Sequence, residues 1–128
     1  MATDAIQISA RLYAANGGAY LGSETTSVTL DMAGTHMASG TQAIGTSDEL
    51  LDIPADVSGD RYILIKSLEA EGGNYVEIGS ASGGSFATSV HNKLLAGRVL
   101  LLLIPSAKSV YAQANGASVN IEWKACQV

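Results

Sequence analysis

Apolar and polar residues alternate along most of this chain, and a period of two is typical of a half-buried β-strand. AIQISARLYA alternates in this way until Asn16-Gly17-Gly18 ends it, and TTSVTLDM, RYILIKSL and NYVEIGS carry the same pattern. No long segment has a helical period. The pattern predicts an all-β, single-domain antiparallel β-sandwich, jelly-roll-like, with about 8–10 short strands. We place the domain over residues 1–128 and leave open an extended N-terminal segment over residues 1–5.

Three stretches between these strands have weaker patterns. THMASGTQAIG is small and polar, so we interpret it as an extended, loosely specified segment. SDELLDIPADVSGD holds a short strand around Leu50 to Ile53, which Pro54 breaks before an acidic loop containing Gly59. GSASGGSFATS is rich in glycine and serine and is interpreted as a connection.

The dipeptide Asn115-Gly116 predicts a hairpin near the end of the chain, because both central residues of a type I′ turn need positive φ. A two-residue turn there pairs Ala112 with Val119 and Val110 with Ile121. The predicted buried face of this hairpin consists of Val110, Ala112, Val119, Ile121 and Trp123. Its other face consists of Tyr111, Gln113, Ser118, Asn120 and Glu122.

The run from Val99 to Ile104 is apolar on both faces, although no helix is predicted that could cover a second face. Arg98 lies on the same side of the strand as one set of three residues, and we therefore assign that set to the outward face: Leu100, Leu102 and Ile104. The core then takes the alternate set: Val99, Leu101 and Leu103. Three exposed aliphatic side chains mark an interface. The alternative is that THMASGTQAIG of the same chain folds over the strand. We add Tyr111 and Tyr75 to the candidate interface as the better exposed aromatic residues.

Charge and cysteine content narrow the setting. Twelve acidic against seven basic residues give a net charge of −5, which argues against nucleic acid or an anionic membrane as the main partner. The single Cys126 cannot form an internal disulfide and suits a reducing compartment. The N-terminus lacks signal-peptide features, and no segment approaches the roughly 20 apolar residues of a membrane span. We therefore expect the protein to be made in a cytoplasm.

No motif in the sequence carries recognisable chemistry. His36 and His91 lack partners at ligand spacing, and we interpret them as solvated residues. The acidic residues of one loop do not follow the spacing of a calcium loop and are expected to be solvated: Asp48, Glu49, Asp52, Asp56 and Asp60. Gly-x-Ser-x-Gly, Walker A and dinucleotide motifs are absent from the sequence. We predict no catalytic residue, no cofactor and no metal, with Cys126 inert and Trp123 in the core rather than on a sugar-binding platform.

The second half of the chain resembles small virion proteins of tailed bacteriophages, of the head-decoration, cement or fibre type. The segments that carry the resemblance are LDIP, ILIKSL followed by NYVEIG, LLAGRVLLLL, and VYAQANGASVNIEW. Ser67 departs from the asparagine common at its position, and the resemblance spans residues 48–124. It implies a β-sandwich that binds an assembled particle and adds contacts between its subunits.

The leading hypothesis is a non-enzymatic capsid decoration or cement protein. Its partners would be the major capsid protein or other virion proteins, with a homo-oligomer (dimer or trimer) as a further expectation. Its place would be the capsid surface of a virion assembled in the bacterial cytoplasm. The alternative is a receptor- or carbohydrate-binding module of a phage tail or fibre, in which Tyr111 and Tyr75 would matter. A hydrolase with unrecognised geometry is a second alternative.

Overall fold

A computed structural model describes residues 5–11, 13–22, 26–31, 36–81 and 91–128. These residues form β-strands joined by turns and contain no helix. The strands are β1 Ala5–Ala10, β2 Tyr13–Asn16, β3 Ala19–Gly22, β4 Thr26–Asp31, β5 Met37–Ile44, β6 Glu49–Leu50, β7 Arg61–Ser67, β8 Val76–Ala81, β9 His91–Leu94, β10 Val99–Ile104, β11 Ser109–Ala114 and β12 Val119–Gln127. The all-β prediction is therefore confirmed.

Two four-stranded sheets form the main part of the structure. Sheet I has the order β10-β7-β12-β5, and sheet II has the order β6-β11-β8-β9. Two smaller sheets consist of β1 with β4 and β2 with β3. Every pair is antiparallel, as predicted. The described residues contain more strands than the predicted number, because AIQISARLYA divides into β1 and β2 and because β3 and β9 were not anticipated.

The hydrophobic core lies where the inner faces of sheets I and II meet, which is compatible with a β-sandwich. Alternate residues of β7 and β12 point inward, and Ile63, Ile65 and Ile121 are completely buried. Sheet II contributes Val76 and Ile78 from β8 in the same way. This alternation follows the period of two in the sequence, so the pattern and the packing agree.

The predicted hairpin at Asn115-Gly116 is wrong, because β11 and β12 lie in different sheets. Among the described residues only glycines have positive φ, and Gly116 is not one of them. Instead, Asn115 anchors the connection to sheet II: its Oδ1 accepts a hydrogen bond from the Tyr75 N–H (2.8 Å), and its own N–H donates to the Tyr75 carbonyl (3.1 Å). The predicted faces are nonetheless correct, since Val110, Ala112, Val119, Ile121 and Trp123 are all buried.

A two-residue turn of the predicted kind occurs elsewhere in the chain. Gly17 and Gly18 both have positive φ, at 57° and 87°, and they connect β2 to β3 with Asn16 opposite Ala19. Asn16-Gly17-Gly18 therefore ends a strand, as the sequence predicts, and also reverses the chain. Leu12, Met32 and most of GSASGGSFATS lie outside the described residues.

Candidate functional site

The apolar strand β10 faces the opposite way from the prediction: the set of residues predicted to be buried is exposed, and the set predicted to be exposed packs inward. Val99, Leu101 and Leu103 are 56 %, 41 % and 55 % exposed. The set predicted to point outward lies on the inner face instead: Ile104 is buried in the core, and Leu100 and Leu102 pack against it. Arg98 misled the prediction because it precedes the strand, where its long side chain pairs with Glu71 in solvent (3.1 Å) and does not report which face is covered.

The outward residues of β10 continue into an apolar band across sheet I. The pairing register places Leu103, Tyr62, Cys126 and Met37 in one row across β10, β7, β12 and β5. Leu101 and Leu64 stand beside each other in the adjacent row. We call these six residues the outer apolar surface. Tyr62 and Cys126 are half-buried, and the other four are exposed.

Charged residues bound the outer apolar surface at one end. The next row across sheet I pairs Val99 with Lys66 and Lys66 with Glu122. The Nζ of Lys124 lies 3.7 Å from a Glu122 carboxylate oxygen, and both side chains are substantially exposed. Exposed ion pairs contribute little to stability. Their effect here is to limit the apolar area to the end of the sheet that carries Leu103 and Met37.

Strand β1 lies over part of this face. Ile6 of β1 is only 9 % exposed, although it is outside the core cluster. A cleft of about 300 Å³ separates β1 from sheet I, and its lining comprises Ile6, Gln7, Ile8, Ser9, Tyr62, Leu64, Leu101, Lys124 and Cys126. The segment predicted as an alternative cover, THMASGTQAIG, instead contains β5 at the opposite edge of sheet I. Among the described residues, β1 therefore covers the centre of the face, and Val99 and Leu103 of β10 remain more than half exposed.

The two tyrosines of the predicted interface lie on sheet II. Tyr111 belongs to β11, opposite Gly79, and Tyr75 precedes β8. Both are half-buried, and the Nζ of Lys93 lies 3.9 Å from the centre of the Tyr75 ring. Because the leucines belong to sheet I, the structure does not bring the predicted interface residues together on one surface.

Two of the five acidic residues around the loop, Glu49 and Asp60, serve as hydrogen-bond acceptors. The Glu49 carboxylate accepts from the Gly45 N–H (3.0 Å) and from the Gln42 side chain (3.2 Å), and Asp60 accepts from the Ser106 N–H (3.0 Å). Within the described ranges, no three histidine, cysteine or carboxylate side chains come close enough to hold a metal ion. Trp123 lies in the core, as predicted. The same ranges contain no helix with the length and hydropathy needed to span a membrane.

Arg61 is a buried charge that the sequence analysis did not identify. Its guanidinium donates hydrogen bonds to the carbonyls of Gly59 (2.9 Å) and Lys108 (2.6 Å). Desolvation by burial lowers the pKa of Arg61, and the neighbouring Asp60 carboxylate partly opposes that change. An arginine that begins a strand is usually exposed, so no sequence signal could have found it. Its contacts fasten the loop before β7 to the turn between β10 and β11.

Comparisons with known proteins bear on the fold alone. No protein-family model matches the chain, and no curated protein does. Among solved structures, the chain is similar to a protein from the disulfide-linked pili that form Bacillus endospore appendages. The TM-score is 0.54 at 16 % sequence identity, over 71 % of this chain and 81 % of the other. This likeness supports the all-β architecture and gives no indication of a phage protein.

Proposed function

We propose that this chain is a non-enzymatic structural subunit of an assembled particle, and specifically a bacteriophage virion protein of the capsid decoration or cement type. The outer apolar surface would provide the contact to the major capsid protein or another virion protein. The contact residues are the exposed members of this surface, Leu101, Leu103, Leu64 and Met37, in place of the residues predicted from the sequence. The resemblance of residues 48–124 to phage virion proteins supplies the phage part of the proposal.

The observation that carries the proposal is the exposure of large aliphatic side chains next to one another on an ordered sheet. Leu101 and Leu64 are direct neighbours in register, and Leu103 follows on the same face of β10. Contiguous apolar surface of this kind marks sites where another protein binds. The similar chain comes from pili, which are assembled structures, and this agrees with a structural role at the level of fold.

The test uses virions of the phage whose genome encodes the chain. We expect mass spectrometry of purified virions to find the protein, and we expect recombinant protein to co-sediment with particles that lack it. Leu103→Lys should abolish co-sedimentation, because a charge buried in an apolar contact is unpaired. Thr41→Lys is the matched control, since Thr41 is exposed on the same face at its polar end. Absence from virions, or equal binding by both variants, would overturn the proposal.

A carbohydrate-binding module is the second candidate function, and one cleft on sheet II favours it. The cleft, of about 230 Å³, is lined by Thr46, Tyr75, Glu77, Gln113, Ala114 and Asn115. Amide, hydroxyl and carboxylate groups beside an aromatic ring are the groups that bind sugars. Lys93 lies over one face of the Tyr75 ring, which leaves less of it for stacking. Glycan-array binding that is lost in Tyr75→Ala and retained in Leu103→Lys would favour this candidate over the first.

A further inference from the structure

Strand β10 forms one edge of sheet I. The alternation of its hydrogen bonds to β7 shows which of its backbone groups do not bond to that strand. The Ser67 N–H donates to the Arg98 carbonyl (3.0 Å), and these two residues are directly opposite in the β10–β7 register. In an antiparallel pair, hydrogen-bonded and non-hydrogen-bonded positions alternate. Leu100, Leu102 and Ile104 are therefore bonded to β7, whereas the backbone N–H and C=O groups of Val99, Leu101 and Leu103 point away from it.

This edge lacks the features that normally protect an edge strand. Protection comes from short length, inward charges, proline or a bulge. Strand β10 has six residues, all apolar, and pairs with β7 without a bulge along its whole length. In sheet II the edge strands are β6, with two residues, and β9, which contains a lysine. Among the described residues no strand pairs with the outer side of β10.

We propose that β10 pairs antiparallel with β10 of a second copy of this chain, with Leu101 opposite Leu101 on a two-fold axis. In this register Val99 of each copy is opposite Leu103 of the other. It is the register that uses the free N–H and C=O groups of all three residues in both copies. The two sheets become one continuous sheet, and the outward side chains of both strands meet on the same face.

The chemistry of the strand fits a second copy better than an unrelated strand. A two-fold axis places each residue opposite a defined counterpart, and like charges opposite one another destabilise a pair. The strand carries no charge, so self-pairing meets no such repulsion. At each end Arg98 is opposite the apolar Ile104, and its guanidinium pairs with Glu71 of its own chain, so no like charges lie directly opposite one another. This pairing goes beyond the proposed function, because it specifies self-association and requires no virion.

Disulfide cross-linking tests the register. In a Cys126→Ala background, Leu101→Cys should form a dimer on mild oxidation. Hydrogen-bonded antiparallel partners have Cα atoms about 5.5 Å apart, within the roughly 4.4–6.8 Å range of disulfides. Val99→Cys alone should not cross-link, because equal positions would be about 13 Å apart at roughly 3.3 Å per residue. Val99→Cys mixed with Leu103→Cys should cross-link. Cross-linking by Val99→Cys alone, or none by Leu101→Cys, would overturn the proposal.

Proline variants test the pairing without cross-linking. Leu101→Pro removes an N–H that points to the free edge, where proline is tolerated. It should keep the circular dichroism spectrum of the parent and lose the dimer seen by analytical ultracentrifugation at several hundred micromolar protein. Leu100→Pro removes an N–H bonded to β7 and should unfold the chain. Leu101→Lys repeats the test without changing the backbone, and it decides the outcome if Leu101→Pro does not fold. A dimer that persists in Leu101→Lys, or a parent chain that is monomeric at this concentration, would refute the pairing.

Discussion

Gly40→Ala tests the packing of the one tryptophan against sheet I. Gly40 of β5 lies opposite Trp123 of β12. A Cβ atom at position 40 would be 2.9 Å from Cζ2 and 3.2 Å from Cε2 of the Trp123 ring. The ring is rigid and lies in the core, so it cannot yield as the tip of a flexible side chain would. Because Gly40 does not have positive φ, no backbone strain adds to the cost of this contact.

The expected magnitude follows from two opposing contributions. Forcing an extra methyl group into a packed core costs about 1–3 kcal/mol. Replacing glycine by alanine restricts the unfolded chain and returns about 0.4–1 kcal/mol. The net loss in the free energy of unfolding should be about 1–2 kcal/mol. An unfolding entropy of about 2.1 cal/mol/K per residue gives about 0.27 kcal/mol/K for 128 residues, so Tm should fall by about 4–7 °C.

Thermal and urea unfolding followed by circular dichroism would measure this loss, and fluorescence of the only tryptophan would report on the site directly. Thr41→Ala is the control, because Thr41 is the next residue of β5 and is exposed. In a Trp123→Leu background the cost of Gly40→Ala should fall by about 1 kcal/mol, since the ring that it meets is gone. An unchanged or raised Tm for Gly40→Ala, or the same cost in both backgrounds, would refute the packing.

Three further substitutions have expected outcomes from the same contacts. Leu102→Glu places a carboxylate against the core and should unfold the chain. Leu101→Glu should leave the chain folded at a cost of about 1 kcal/mol, because Leu101 is 41 % exposed and also lines the cleft under β1. Circular dichroism with urea would show the reverse order if the facing of β10 is wrong. Arg61→Met should cost about 2–4 kcal/mol through the loss of two charge-assisted hydrogen bonds, and an unchanged Tm would contradict that role. Gly116→Val should cost less than about 1 kcal/mol, because the new Cβ would meet only the end of the Asn74 side chain. A calorimetric cost above about 2 kcal/mol would instead indicate that Gly116 has positive φ, as the predicted turn requires.

The sequence predicts the strands and their buried faces well, because alternation of apolar and polar residues is a local property. It predicts pairing less well. Ala112 and Val119 were placed opposite each other on the strength of one turn dipeptide, yet both pack into the core from different sheets. Two successive strands show the same alternation of buried and exposed residues whether they pair in one sheet or face each other from two sheets. The local pattern therefore cannot distinguish a hairpin from a connection between sheets.

The facing of β10 was unpredictable for a related reason. All six residues are apolar, so the alternation that identifies the inner face elsewhere is missing. The covering of the outer face by β1 depends on residues far away in sequence, such as Ile6 near Leu64 and Tyr62. The unusual composition of β10 is visible in the sequence, and the structure was needed to determine which of its faces remains exposed.

The exposed side chains of β10 indicate how strong a contact through this strand can be. Full burial of a valine or leucine contributes about 1.5–3 kcal/mol, so three residues that are about half exposed contribute at most about 1 kcal/mol each. Because their side chains stay on the outward face when the edges pair, two copies together gain at most about 6 kcal/mol, which is within the estimated 4–15 kcal/mol that association costs in lost motion. The proposed pair of β10 strands would therefore be a weak contact in free solution. Such a contact becomes strong when many copies are held side by side, because the second contact of each copy is then effectively intramolecular. An exposed apolar edge of this length thus favours a subunit that is monomeric when dilute and that associates on an assembled particle.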